Sequence, residues 1–98
     1  MTQEEAWQIL GEYRKEIDSL DHEIARCLHE RARIAMEIGR VKKSAGLPVF
    51  EANREDQVIR NVSTQVAGPM PSDAMRRIFE QVMKEMRALQ ETLRAAHS

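Results

Sequence analysis

The 98 residues carry 42% hydrophobic and 32% charged side chains, the balance of one soluble globular domain near the lower size limit for a self-sufficient core. Fifteen Lys and Arg against sixteen Asp and Glu leave a formal charge of −1, so no overall basic field draws nucleic acid or acidic lipid. No apolar run approaches about 20 residues, so no membrane span is expected. The single cysteine, Cys27, excludes an internal disulfide framework and fits a reducing compartment. The acidic start, Met1 to Trp7, lacks the basic and apolar regions of a secretory signal, and a cytoplasmic location is expected.

Thr2-Gln3-Glu4-Glu5 has capping-box spacing and opens a helical pattern that runs to about Lys43. Gly11 and Gly39 lie inside it at a cost of about 1 kcal/mol each relative to alanine, useful where something approaches the backbone closely. Apolar residues recur three or four apart: Leu10, Ile17, Leu20, Ile24, Leu28, Ala35 and Ile38. At about 100° per residue, Arg31 and Lys42 point within about 30° of the centre of that stripe, and Arg14 roughly 70° from it. A buried ion costs several kcal/mol unless an opposite charge meets it. Two or three cations on one core face therefore suggest an anionic guest; for Arg31 or Lys42 singly, the alternative is a structural ion pair with a neighbouring glutamate.

Ala45-Gly46-Leu47-Pro48 breaks the first helix. A second is expected from about Glu51 to Val66, ended by Gly68-Pro69. Glu51 and Glu55 fall on the same side as Val58, Val62 and Val66, with Arg54 at the flank. A carboxylate on a core face suits acceptance of a hydrogen bond from a buried hydroxyl; the alternative is that both acids simply favour the helix N-terminus. Pro71-Ser72 starts a third helix with Met75, Phe79, Val82, Met86, Leu89 and Leu93 as its apolar face. Gln90 lies about 50° from that face's centre and by itself reads as a boundary residue. Strand signals are absent, and the expected class is all-α with three helices, one very long, in a single domain spanning residues 1–98.

About 42 residues at 1.5 Å each reach roughly 63 Å, whereas a compact 100-residue domain has a radius of gyration near 13 Å. Two shorter helices cannot cover so long a stripe, and an intertwined homodimer is expected; the alternative is a monomeric bundle with the first helix broken near Gly11 or Gly39. Arg31 and Lys42 are about 16 Å apart along the axis, close enough for long side chains to converge on one small molecule. Arg14 lies about 42 Å from Lys42, so in an antiparallel dimer it would serve the other subunit's pocket. His22 and His29 lack the spacing of helical metal ligands. Cys27 reads as a packed thiol, and no phosphate-binding glycine loop occurs. No metal or cofactor is expected.

Tyr13-Arg14-Lys-Glu-Ile-Asp18-Ser-Leu-Asp21, Glu30-Arg31, Gly39-Arg-Val-Lys42 and Pro48-Val-Phe-Glu51-Ala-Asn-Arg54-Glu55 together resemble the all-helical class of chorismate mutase. The resemblance runs from about Trp7 to Leu93 and is specific, because its motifs lie in order on three helices. It implies an intertwined helical dimer that converts chorismate to prephenate, on the way to phenylalanine and tyrosine, without a cofactor. It further implies that Arg31, and Arg14 from the partner subunit, grip the two carboxylates of chorismate, with Arg54 in support. Lys42 and Gln90 would donate to the ether oxygen, and Glu55 would accept from the ring hydroxyl beside the backbone near Glu51. Two positions depart from the family pattern: Glu51 stands where aspartate is common, and Met86 where a small hydroxyl residue contacts a carboxylate. A free-standing domain is expected, with any end-product inhibition supplied by a partner protein. Isochorismate pyruvate lyase shares the scaffold, but Arg54-Glu55 looks more like a mutase. A non-catalytic helical dimer is the remaining alternative.

Overall fold

The computed structural model describes residues 1–64 and 67–96, which form three helices and no strand: α1 (Gln3–Ala45), α2 (Ala52–Thr64) and α3 (Ser72–Ala96). The expected last residue of the second helix, Val66, lies outside the described residues. Each helix end has a local cause. The Thr2 hydroxyl accepts from the Glu5 amide at 3.1 Å and the Thr2 carbonyl from the Ala6 amide at 3.0 Å, so Thr2 caps α1. At the other end, Gly46 adopts φ +70°, the Leu47 amide returns to the Lys42 carbonyl (2.8 Å) and the Gly46 amide to that of Lys43 (3.2 Å). That pair of bonds is a Schellman stop, and it needs a residue that tolerates positive φ. Pro48 follows and prevents resumption. The carbonyls of Glu51 and Pro71 accept the first helical bonds of α2 and α3, from Glu55 and Met75.

The chain divides into two compact units, Met1–Arg31 and Ala32–Ser98. In the first, the expected core stripe is uncovered. Leu10, Ile17, Leu20, Ile24 and Leu28 remain between 39% and 57% exposed, and Trp7 and Tyr13 are more exposed still. A helix alone has nothing to bury its apolar face against.

The second unit holds the core. α2 lies antiparallel to α3: Glu55 near the start of α2 meets Arg87 late in α3, and Ser63 near its end meets Ser72 at the start of α3. Between these ends Val58, Ile59 and Met83 form a buried cluster with Phe79 against it. The C-terminal turns of α1 bury Ala35 and Gly39, and Gly39 meets Gln90 of α3. Two expected faces are rotated. On α2, Ile59 joins Val58 inside. On α3, Met83 and Gln90 are buried while Leu89 is 38% exposed. The reason is that α3 is contacted on two sides, by α2 and by the end of α1, so its buried arc is centred between them.

The contact at Gly39 leaves no room for a side chain. A Cβ there would lie 2.9 Å from Cγ of Gln90 and 3.3 Å from its Cβ. Gly39→Ala is therefore expected to lower stability despite the better helix propensity of alanine. Overpacking costs about 1–3 kcal/mol, against a propensity gain of about 1 kcal/mol. Urea unfolding checks this; a raised midpoint would show that α3 does not press on this glycine.

Candidate active site

Three polar side chains, Lys42, Gln90 and Glu55, are held by contacts among the end of α1, the 46–51 connection, α2 and α3. Lys42 is largely buried, its side chain 11% exposed, and its ammonium donates to the Val49 carbonyl at 2.7 Å and pairs with Glu51 Oε1 at 2.9 Å. Val49 is itself buried, and Arg94 holds the same connection by donating to the Leu47 carbonyl at 2.7 Å. Lys42 thus has the glutamate partner that its alternative reading requires. An ammonium has three donors, and these two partners leave one.

Gln90 is the buried polar side chain of α3. It donates through Nε2 to the Ala35 carbonyl at 2.8 Å, which fixes the amide's orientation, since a flipped amide would set oxygen against oxygen. One Nε2 hydrogen remains, and Oε1 is buried with no hydrogen-bond partner. Ala35, Gly39 and Lys42 lie on one face of α1 by their four- and three-residue spacing. Gln90 sits over the first two, one turn from Lys42. Met86, one turn before Gln90, is buried and apolar and packs as core.

Glu55 supplies a carboxylate from the first turn of α2. Both its oxygens are held by the guanidinium of Arg87, and that guanidinium stands 5.5 Å from the centroid of the Phe50 ring. Sequence reading missed Arg87. It lies beside Met86 and three residues before Gln90, and only the pairing of α2 with α3 brings it to Glu55. Arg54 is exposed and donates to Gln57 of its own helix at 2.7 Å. Arg14 and Arg31 belong to the first unit: Arg14 lies over the Trp7 ring at 5.5 Å, and Arg31 is half-buried. Among the described residues no group of His, Cys, Asp or Glu has the arrangement to hold a metal ion. No helix there is long and apolar enough to cross a membrane.

A three-helix chain with polar side chains held between helices has an architecture in which sites can be built from facing helices. Residues 13–91 match the family model described as chorismate mutase type II, and the chain belongs to that family. Over 92 residues it is 34% identical to the bifunctional chorismate mutase/prephenate dehydratase of Aquifex aeolicus, which covers 90% of this chain and 25% of the relative. The chain thus spans about a quarter of the length of that relative. Among solved structures it resembles a chorismate mutase (form II) from Thermus thermophilus, with TM-score 0.82 and 34% identity over 84% of this chain and 93% of that one. It also resembles the Helicobacter pylori chorismate mutase in complex with prephenate, with TM-score 0.80 and 27% identity over 87% and 92%.

Gln90 offers a direct test of what this site costs the fold. Replacing it with methionine removes one hydrogen bond, worth about 1 kcal/mol, and also removes an unsatisfied buried acceptor that costs about 1–3 kcal/mol. Gln90→Met is expected to unfold in urea at the wild-type midpoint or above it. A loss of more than about 2 kcal/mol would make the amide a structural clamp.

Proposed function

We propose that this chain catalyses the rearrangement of chorismate to prephenate, as a homodimer with two shared sites. The supporting observation is that the family match, residues 13–91, contains all eight candidate residues: Arg14, Arg31, Lys42, Glu51, Arg54, Glu55, Met86 and Gln90. The geometry of the second unit suits the chemistry. The reaction breaks a carbon–oxygen bond and forms a carbon–carbon bond within one molecule, so no nucleophile, proton shuttle or cofactor is required. Catalysis consists of holding a near-attack conformer and meeting the charge that grows on the ether oxygen with fixed donors.

Lys42 and Gln90 each retain one donor after satisfying their protein partners, and both are fixed by those partners before substrate arrives. Glu55 accepts from the ring hydroxyl through a carboxylate oxygen. Arg31 and Arg14 of the partner subunit bind the two carboxylates with forked donors. Enzymes generally lower barriers by about 8 kcal/mol or more, and positioning alone is worth about 7–11 kcal/mol in favourable cases. The dimer is supported by the exposed row Leu10, Ile17, Leu20, Ile24 and Leu28, an apolar face of the kind that marks an interaction surface. A second copy offers the same face, and twofold pairing buries both.

Two measurements decide the reading. The purified chain is expected to form prephenate from chorismate, and Arg31→Glu to abolish turnover while leaving the dimer intact by sedimentation. Pyruvate and salicylate from isochorismate, without prephenate from chorismate, would instead make it a lyase. For the shared site, Arg14→Ala and Lys42→Ala chains, each inactive alone, are unfolded together and refolded as a mixture. Half the resulting dimers are mixed and each rebuilds one intact pocket, so activity is expected to recover to about one quarter of wild type. No recovery would place Arg14 outside the pocket.

A further inference from the structure

Arg87 is a cation that neither the residue patterning nor the family resemblance assigns. It holds both oxygens of Glu55, with side chains 33% and 22% exposed, and its guanidinium lies over Phe50. A carboxylate has about four lone-pair positions. Arg87 occupies one on each oxygen, which leaves acceptor capacity and stops the carboxylate from rotating. Guanidinium has no acceptor, so Glu55 is the acceptor at that corner and a group donating to it is welcome. The Phe50 ring backs the guanidinium, and Phe50 is held in turn by the connection that Lys42 and Arg94 anchor at Val49 and Leu47.

From this geometry we infer that Arg87 is a positioning residue, which acts through Glu55 to select substrates whose ring hydroxyl donates a hydrogen bond. The inference rests on the function proposed above. The hydroxyl-bearing carbon takes no part in the bond broken or the bond formed. Its contact with Glu55 is therefore the same in the bound substrate and in the transition state, and uniform binding of that kind appears in KM and not in kcat.

The test is a double-mutant cycle on chorismate turnover with wild type, Arg87→Met, Glu55→Gln and the double variant, each also unfolded in urea. Hydrogen bonds to charged groups are worth about 1.5–3 kcal/mol. Arg87→Met is accordingly expected to raise KM about tenfold or more with kcat little changed. In the Glu55→Gln background the same substitution is expected to change KM by less than about twofold, since its route is already cut. Arg87→Lys keeps the charge without the planar guanidinium, and is expected to recover part of the loss, since a single nitrogen of Arg87 serves both oxygens; it also serves if the methionine variant folds poorly. Wild-type KM in Arg87→Met, or an undiminished effect without Glu55, would overturn the inference, the latter by showing that Arg87 touches substrate itself or acts only on the fold. An active wild type with an unaffected Arg87→Met rejects only this role, whereas an inactive wild type rejects the proposed function and this inference with it.

Discussion

The contact between Gly39 and Gln90 is the constraint on which the second unit turns. Because Gly39 has no side chain, the aliphatic part of Gln90 lies against the backbone of α1, where an added Cβ would be 2.9 Å from its Cγ. That approach carries the amide to the Ala35 carbonyl. It also sets the rotation of α3, so that Met83 and Met86 turn inward and α2 closes over Met83 with Val58 and Ile59. The last turn of α3 then reaches the connection after α1, where Arg94 donates to Leu47 and Lys43 donates to the Arg94 carbonyl at 3.3 Å. One missing methyl group thus governs the position of a helix, a loop and the amide of the site.

The polar residues of the site are held at some expense to the fold. An amide oxygen without a partner and a lysine with only a sliver of exposed side chain are both costly in a low-dielectric interior. Lys42 is compensated by Val49 and Glu51, and Gln90 half-compensated by Ala35. Donors fixed in advance by protein partners do not have to reorganise when charge develops nearby, which is the physical advantage of such an arrangement. The same logic applies to Glu55, whose two oxygens are pinned by one guanidinium.

The first unit presents the opposite case. Most of its polar residues are exposed, with Arg31 half-buried, and its apolar row is uncovered. Full burial of a leucine or isoleucine is worth about 1.5–3 kcal/mol, so five half-exposed examples in one row represent a large unused stabilisation. Such a row is a property of a chain that has more apolar helix than it has helices to cover it.

Local chemistry was legible in the sequence. Thr2 as cap, Gly46 as stop and Pro71-Ser72 as restart depend on residues within a turn of each other, and the three helices follow from them. The spacing that put Lys42 on the apolar side of α1 is equally local, and so is the motif order that marks the family, whereas Gly11 and Gly39 read alike and only Gly39 meets a neighbour. Tertiary structure decided what no local pattern carries: that Gln90 is core and Leu89 is not, that Lys42 takes Glu51 as partner, and that Arg87 meets Glu55 across thirty-two residues of chain. Helical periodicity gives the direction of a side chain about its own axis, but which neighbour stands in that direction depends on how three helices pack, and that is settled only when their surfaces meet.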